Sequence, residues 1–515
     1  MWLLSQLVLA ALVLGILAAL THNARERSRR RLPPGPKFLP LIGNAHQLSI
    51  HYQERAFAEW GRTYGDLIYA RLFRLPVLII NSIQIARELL DKRSGKYSGR
   101  PQLVMLDEML GWSHTVATMD YGDQWKKQRR WAQSTLHDQD YMSVSEQVRR
   151  RETCVLLASL VATPDAFLSH LKRYSAATIM EVLYGHTVTS EDDQFVATIN
   201  KAMEGTVECT VSGAVLVDFL PILKHIPAWF PGTYYRRRAP EVKRLVQDAV
   251  NRPFEMVKRC MELGTAKPSI VASLLEASIR EGTLGEDEKD IKGLSQTLYG
   301  AGAETTSAVL ITFVLAMTLH PEVLRKAQAE VDQVVGKGRL PDWPDRENMP
   351  YIECVLKEVY RWICPLPFGV PHCVTEDDEY SGYYIPKGAM ALPNIWSMTQ
   401  NPELYPEPDK FIPERFLKMD AKTSNFADPS EYVYGFGRRI CPGREFADMN
   451  VWLAIACIIA TLDIQKATDS SGNEITLDAT YEPGIVSHPR PFKCSISPRS
   501  ERFELMIAEA KVTQT

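Results

Sequence analysis

YGFGRRICPGR, Tyr434 to Arg444, holds one cysteine with glycines four before and two after it and an arginine two before it. The run leads into EFADMNVWLAIACIIATL, a predicted helix, so Cys441 stands on a glycine-shaped loop at a helix N-terminus. That position, backbone N–H groups aimed at the sulfur, and Arg438 and Arg439 nearby all favour a thiolate. A thiolate serves as a covalent nucleophile or as a metal ligand. No CxxC partner or nearby histidine completes a zinc set. A nucleophilic cysteine needs a histidine base, which sequence alone does not place. A single thiolate holding haem iron is the third option.

A second feature lies upstream of this loop. From about Asp290 to His320 (DIKGLSQTLYGAGAETTSAVLITFVLAMTLH) no proline occurs, and Pro321 supplies the stop. A helix of that length spans about 45 Å, and its second half is apolar on nearly all sides, as an interior helix is. Gly300 and Gly302 each cost about 1 kcal/mol relative to alanine, and they stand beside Glu304, Thr305 and Thr306. Such a helix carries either a functional site or a satisfied buried carboxylate with close packing. The helix alone does not choose between them. Elsewhere, residues 66–81 read as two strands around a turn and Ile83 to Asp91 as a helix. From about 120 to 335 the pattern is helical, with proline-containing breaks at 164, 221–231, 240, 253 and 268. From 366 short strands and loops follow, and TLDIQKATDSSGNEITLDA reads as a hairpin with a polar turn. The fold class is mainly α with a minor β portion.

The chain has 515 residues, 45% hydrophobic and 23% charged, which is ordinary globular composition and rules out a disordered tail, a collagen-like chain or a polytopic transporter. Lys+Arg 59 against Asp+Glu 62 gives −3, which argues against a nucleic-acid binder. Nine cysteines are too sparse for a disulfide scaffold, and no Asn-x-Ser/Thr acceptor occurs, so the body suits a reducing compartment. Residues 2–20 carry no charge and are long enough to cross a bilayer. Five arginines follow (Arg25, Arg27, Arg29, Arg30, Arg31), which puts the body in the cytosol and Met1 on the lumenal side. A cleaved signal peptide would carry its basic residues before the apolar run instead. LPPGP (Leu32 to Pro36) reads as a stiff extended spacer. The expected organisation is therefore an anchor at 2–20, a basic, proline-rich linker at 21–36, and one large globular domain at 37–515.

The cysteine loop resembles the haem-ligand loop of cytochrome P-450 enzymes, the haem-thiolate monooxygenases, whose pattern is F-x-x-G-x-R-x-C-x-G. Gly437, Arg439, Cys441 and Gly443 match, and Tyr434 stands where the pattern has phenylalanine, which keeps a ring near the sulfur but adds a hydroxyl. Glu358-Val-Tyr-Arg361 resembles the family's E-x-x-R helix, and Phe411-Ile-Pro-Glu-Arg415-Phe416 its F-x-P-E-R-F segment. The resemblance implies that Glu358, Arg361 and Arg415 form a buried charge network behind the haem. Ala301-Gly-Ala-Glu304-Thr305 resembles the oxygen-binding kink of the long helix, so Glu304 and Thr305 would deliver protons to dioxygen while Cys441 ligates the iron of haem b. The resemblance covers the whole chain and implies the cytochrome P-450 fold preceded by one N-terminal transmembrane helix. YSGRP, LGW and AWFPG are most similar to fungal microsomal members grouped with O-methylsterigmatocystin oxidoreductase.

Further roles follow from the resemblance. Arg100, Trp125, Arg129, His372 and Arg439 would contact the haem propionates, with Tyr434 and Gly443 in the haem loop. Leu103, Val104, Leu110, Tyr299, Ala301, Thr306, Phe368, Val370, Ile485 and Val486 would line an apolar substrate pocket, together with the region near 205–220. No FMN, FAD or iron–sulfur motif is present, so electrons would come from NADPH through a separate membrane-bound reductase. Lys126, Lys127, Arg130, Arg438 and Arg444 would form a basic docking surface for it, or else a solvated helix face. PILKHIPAWFPG (Pro221 to Gly232) reads either as a membrane-dipping loop or as core packing. The implied function is insertion of one oxygen atom of O2 into an apolar small molecule, a hydroxylation in fungal terpenoid or aromatic secondary metabolism at the endoplasmic reticulum. Two other classes stand beside it: a reductase-independent haem-thiolate isomerase or dehydratase, and a non-catalytic, membrane-anchored haem-binding protein.

Overall fold

A computed structural model describes residues 31–49, 51–190, 192–211, 216–419 and 426–514. The expected anchor at 2–20 and the arginines from Arg25 to Arg30 lie outside the described residues. The chain gathers into two compact units. One holds the residues up to Pro101 with Pro371–Ser397 and Phe436–Arg438, and the other holds Gln102–Val370, Met398–Gly435 and Arg439–Thr515.

The first unit carries helix α1 (Gln53–Tyr64) and six strands: β1 (Leu67–Leu72), β2 (Leu75–Ile80), β3 (His372–Cys373), β4 (Asp378–Tyr380), β5 (Tyr383–Ile385) and β6 (Met390–Pro393). Four make a sheet in the order β1-β2-β6-β3. The two strands expected in 66–81 pair antiparallel, with Leu67 opposite Ile80, while β2 runs parallel to β6. Ile68, Leu78, Ile79 and Ile80 are fully buried, which accounts for the near-continuous β-branched and aliphatic run there. The proline spacer lies along this sheet, because Pro34 O accepts the N–H of Tyr69 at 2.9 Å.

The second unit is helical. Among its helices are α2 (Asp123–Leu136), α3 (Phe167–Tyr184), α4 (Gln194–Val211), α5 (Tyr234–Glu262), α6 (Leu284–Leu319), α7 (Pro350–Trp362) and α8 (Arg444–Thr461). The breaks expected at Pro240 and Pro253 do not occur, since both prolines lie inside α5. Each costs about 3 kcal/mol in a helix interior. Against that, α5 buries Tyr235, Ala239, Val242, Val246, Ala249, Phe254 and Val257 along one stripe. At about 1.5–3 kcal/mol for each large side chain, that burial outweighs both prolines.

The long helix α6 begins six residues before the expected Asp290. Asp287 in its first turn accepts the Ser278 and Thr283 hydroxyls, so its start is anchored by side chains that apolar periodicity does not register. Every residue from Thr306 to Thr318 is buried. Among the described residues this is the one helix long and apolar enough to cross a membrane, and most of that stretch is sealed in the protein's own core. A Cβ on Gly302 would come within 3.2 Å of Ile179 on α3, so this glycine permits close helix packing.

The expected C-terminal hairpin is only partly present. Thr468 bridges Glu474 across a turn in which the Asp469 carboxylate accepts the N–H groups of Ser471 and Asn473. Strand β7 (Leu462–Lys466), however, pairs with β10 (Cys494–Pro498), and β8 (Tyr481–Glu482) pairs with β9 (His488–Pro489). Strand β10 buries Cys494 and Ile496, whereas Ile475 and Leu477 of EITLDA are only half-buried. A final helix, Glu501–Gln514, follows where only strands and loops were expected.

Candidate active site

The cysteine loop is closed by its own backbone, with the Cys441 N–H donating to Tyr434 O at 2.8 Å. Gly443 caps the N-terminus of α8, and its N–H donates to the sulfur. From α2, Arg129 Nη1 donates to Ile440 O at 2.5 Å. Residue 441 is half-buried, but its sulfur is enclosed by protein, and that enclosure pushes the thiol above its usual range. The Gly443 N–H, Arg129 and Arg444 oppose the shift without overcoming it. The expected low-pKa thiolate is thus corrected in two respects: burial outweighs the helix terminus, and the cations acting on the sulfur are Arg129 and Arg444 rather than Arg438 and Arg439. A metal cation bonded to the sulfur would reverse that balance.

Arg439 lies with its guanidinium 4.6 Å from the centre of the Trp125 ring and donates to Val116 O and Met119 O. Burial pulls Arg439 down to about 10 and lowers Arg129 as well. Two enclosed guanidiniums held mainly by carbonyls and an indole are a donor set suited to carboxylates. The single N–H of Trp125 goes to Val116 O at 3.1 Å, so Trp125 serves as the platform for Arg439 rather than as an anion donor. In the first unit, His372 is buried on β3 with Nδ1 2.7 Å from Tyr97 O, and Arg100 donates to Pro371 O. Gly437 there has φ +55, and a Cβ on it would fall 2.1 Å from Leu90 O, so only glycine fits this position of the loop.

In the second unit, the middle of α6 opens between two buried stretches. Ala301 is exposed and Gly302 to Thr305 are half-buried, between turns that the core covers. Burial raises the Glu304 carboxyl, with His488 and Lys172 pulling the other way. Thr305 Oγ1 donates to Ala301 O at 2.7 Å, which leaves its lone pairs as acceptors. The Glu304 carboxyl, raised by burial, and the Thr305 hydroxyl are thus successive residues at this opening.

Behind the cysteine loop, Arg361 grips Glu358 with two bonds of 2.7 and 2.8 Å, and Arg415 adds a third at 3.2 Å. Glu358 and Arg361 are completely sealed from solvent. Arg361 also donates to Thr399 O, Pro408 O and Lys410 O, so the excess positive charge is spread over carbonyls. These carbonyls and the Ile412 N–H, which donates to Glu358, tie α7 to the 399–415 segment. The buried charge network inferred from the sequence is present.

The sequence model of the Cytochrome P450 family matches residues 33–496. The chain belongs to the cytochrome P450 family. It is 44% identical over 491 residues to Cytochrome P450 monooxygenase 176 of Postia placenta, covering 95% of this chain and 94% of that protein. It is 39% identical over 498 residues to Cytochrome P450 monooxygenase claR of Ampulloclitocybe clavipes, covering 96% and 91%. The mainly helical body with its minor sheets accords with a P450, an oxidoreductase that uses haem and O2. The residues present fit a haem: Cys441 supplies one enclosed sulfur, and Arg129 and Arg439 supply two buried cations toward two propionates.

The other expected residues are distributed as follows. Val104, Leu110 and Tyr299 belong to one buried core of the second unit. At about 100° per residue, Tyr299 and Ala301 are some 200° apart, so the helix face expected to join Tyr299, Ala301 and Thr306 does not exist. Thr306 is buried, while Ala301 shares its side of α6 with Thr305. Ser487 N–H donates to Pro365 O at 2.8 Å, which brings the loop carrying Ile485 and Val486 against the start of the Leu366–Val370 loop. Leu103, Phe368 and Val370 are half-buried and Ile485 is exposed. Lys127 is not a surface cation: it bridges the buried carboxylates of Asp287 and Asp290 on α6. Lys126 and Arg130 are exposed on α2, Arg438 is exposed in the first unit, and Arg444 is half-buried. His488 and Tyr360 were not singled out from the sequence. His488 bears on Glu304 electrostatically from a strand nearly two hundred residues away, and no local pattern marks it. Tyr360 sits inside EVYR and was legible only as filler between Glu358 and Arg361.

Proposed function

We propose that this P450 is an NADPH-reductase-dependent monooxygenase of the endoplasmic reticulum membrane that hydroxylates an apolar small molecule in fungal secondary metabolism. The observation that carries the reading is the opening in the buried surface of α6 at Ala301–Thr305, where Glu304, a carboxyl raised by burial, is followed by the Thr305 hydroxyl. An isomerase or a haem-binding protein has no use for a proton source at that place. Haem bound through Cys441 supplies the oxygen-activating chemistry. The chain supplies the rest. Arg129 and Arg439 hold anions, Gly443 and Ile440 fix the sulfur, and Glu304 gives a proton that Thr305 relays.

Membrane attachment has support from the body as well as from residues 2–20. Ile222, Trp229 and Phe230 are 76%, 79% and 49% exposed, which favours a membrane-dipping loop over core packing. Lys126 and Arg130, exposed on the helix that braces the sulfur loop, suit an acidic reductase.

The test is a ferric-state optical titration of the purified enzyme with terpene hydrocarbons, terpene alcohols, simple aromatics and indole amines. It follows a reduced-CO spectrum that establishes thiolate ligation. A low-spin to high-spin shift with one class names the substrate family. NADPH consumption with reductase and that class then separates the monooxygenase from the isomerase and the binding protein, both of which would consume none.

A further inference from the structure

Tyr434 is where this loop departs from its family's pattern, and the structure gives the extra hydroxyl a partner. The hydroxyls of Tyr434 and Tyr360 are 2.9 Å apart, with their ring centres 5.8 Å apart and edge-on. Tyr360 also donates to Asp448 Oδ1 at 3.4 Å. Asp448 is held in turn by Arg346, which grips Glu353 at 2.9 and 3.0 Å and lies over the indoles of Trp343 and Trp452. At its near end the chain reaches the sulfur loop, because Tyr434 O accepts the Cys441 N–H. A phenylalanine at 434 would pack equally well and would leave Tyr360 with Asp448 alone.

Burial pushes both phenols far above their usual range, so neither acts as a phenolate. A buried neutral phenol with a carboxylate in reach has another capability: it can lose an electron and a proton together and leave no net charge behind. The neighbouring indoles are less suited, since the Arg346 cation over both rings opposes the positive charge that oxidising an indole creates.

We propose that Tyr434 and Tyr360 form a redox-active pair that gives one electron to the haem when peroxide oxidises it in the absence of substrate, sparing the Cys441 sulfur. This rests on the haem-thiolate reading above. Over the whole cycle hydrogen peroxide takes two electrons and two protons to become two waters, and both of those protons come from solvent. Tyr434 supplies one electron; its phenolic proton passes to the Tyr360 oxygen, and the Tyr360 proton passes to Asp448. The second electron would come from bound haem. The reductase later returns both electrons, and Asp448 returns the proton to the tyrosine pair.

The experiment mixes haem-loaded enzyme with hydrogen peroxide, without substrate, and freeze-quenches it for electron paramagnetic resonance. Peptide mass spectrometry follows Cys441 sulfinic and sulfonic acid in the same samples. The expected result is a radical signal that narrows on ring-deuterated tyrosine labelling and falls severalfold in Tyr434→Phe, with Cys441 oxidation rising severalfold. Phenylalanine is the family's own residue at this position, so that variant is expected to fold. Asp448→Asn, which keeps both phenols but removes the proton acceptor, should weaken the signal too. Tyr405→Phe, in a separate buried pair with Tyr432, should change neither readout. A reduced-CO spectrum of each variant comes first. Its absence from the wild type overturns the haem reading and the pair's role with it. A normal spectrum with an unaltered radical in Tyr434→Phe overturns the pair's role alone.

Discussion

Arg129 donates to the carbonyl of Ile440, the residue immediately before Cys441, so a guanidinium from α2 braces the peptide that carries the sulfur. The same cation is one of the groups that oppose the upward shift of the thiol. Arg129→Met keeps much of the side-chain length but leaves Ile440 O without this donor and removes the charge. The sulfur should then titrate higher still, because a nearby cation favours the thiolate. Haem content should fall severalfold, and alkylation of Cys441 in the haem-free protein at pH 8 should slow by a factor of about 3–10. Arg129→Lys should recover the alkylation rate more fully than the haem content, since it restores charge without the guanidinium fork. Unchanged haem content and unchanged alkylation in Arg129→Met would remove Arg129 from the site.

Glu358 is the carboxylate between Arg361 and Arg415, and two of these three side chains see no solvent. Glu358→Gln would leave two enclosed guanidiniums facing a neutral amide. Removing one partner of a buried pair costs about 3–5 kcal/mol. The exposed pair Glu59–Arg62 makes the contrast, with side chains 63% and 78% accessible. Glu59→Gln should cost under about 1 kcal/mol. Urea unfolding followed by circular dichroism distinguishes the two, and similar midpoints for both variants would count against the network.

Legibility followed distance along the chain. The sulfur loop, the E-x-x-R helix and the mid-helix carboxylate are each local, so their residue types at fixed spacing were enough to find them. The strands at 67–80 were equally plain, because β-branched runs around a turn have few alternative structures. Pro240 and Pro253 misled because propensity is a single-residue property, whereas the stripe from Tyr235 to Val257 that overrides it is a packing property. Lys127 misled for a related reason. On its own helix it is a solvated cation beside Lys126 and Arg130, and only tertiary structure sets Asp287 and Asp290 against it. The influence of His488 on Glu304 depends wholly on where β9 lies, which no local pattern encodes.

The same Lys127 yields a prediction about electron delivery. Lys127→Ala strands two buried carboxylates and should lower stability by about 1–3 kcal/mol. It should leave the reductase concentration for half-maximal rate nearly unchanged. Exposed Arg130 should behave the opposite way. Arg130→Glu should leave the melting temperature in place and raise that reductase concentration severalfold at low salt, with the difference closing as salt screens the contact. Steady-state NADPH oxidation against reductase concentration at two ionic strengths, beside thermal melts, reads both. A reductase dependence that follows Lys127 and ignores Arg130 would move the docking surface elsewhere.

Asp218 supplies a pH dependence whose sign is fixed by its surroundings. Its Oδ1 accepts the Met105 N–H at 2.8 Å and so pins the turn Leu216–Phe219 to the turn Val104–Met109. Burial pushes its carboxyl up to about 6 and Asp107 adds to the shift, while the N–H groups of Met105 and Val104 pull back. An unfolded aspartate titrates near 3.8. The folded state therefore binds the proton more tightly, and the stability this provides is complete below about pH 3.8 and lost as pH rises through about 6. Asp218→Asn keeps the acceptor oxygen and never ionises. It should match the wild type at pH 4 and exceed it at pH 8 by about 1–2 kcal/mol, allowing for the partial exposure of the group. Denaturant midpoints at the two pH values measure this. An advantage of the asparagine variant at pH 4 that shrinks toward pH 8 would reverse the assignment, because it would mean that the ionised carboxylate is the form the fold prefers.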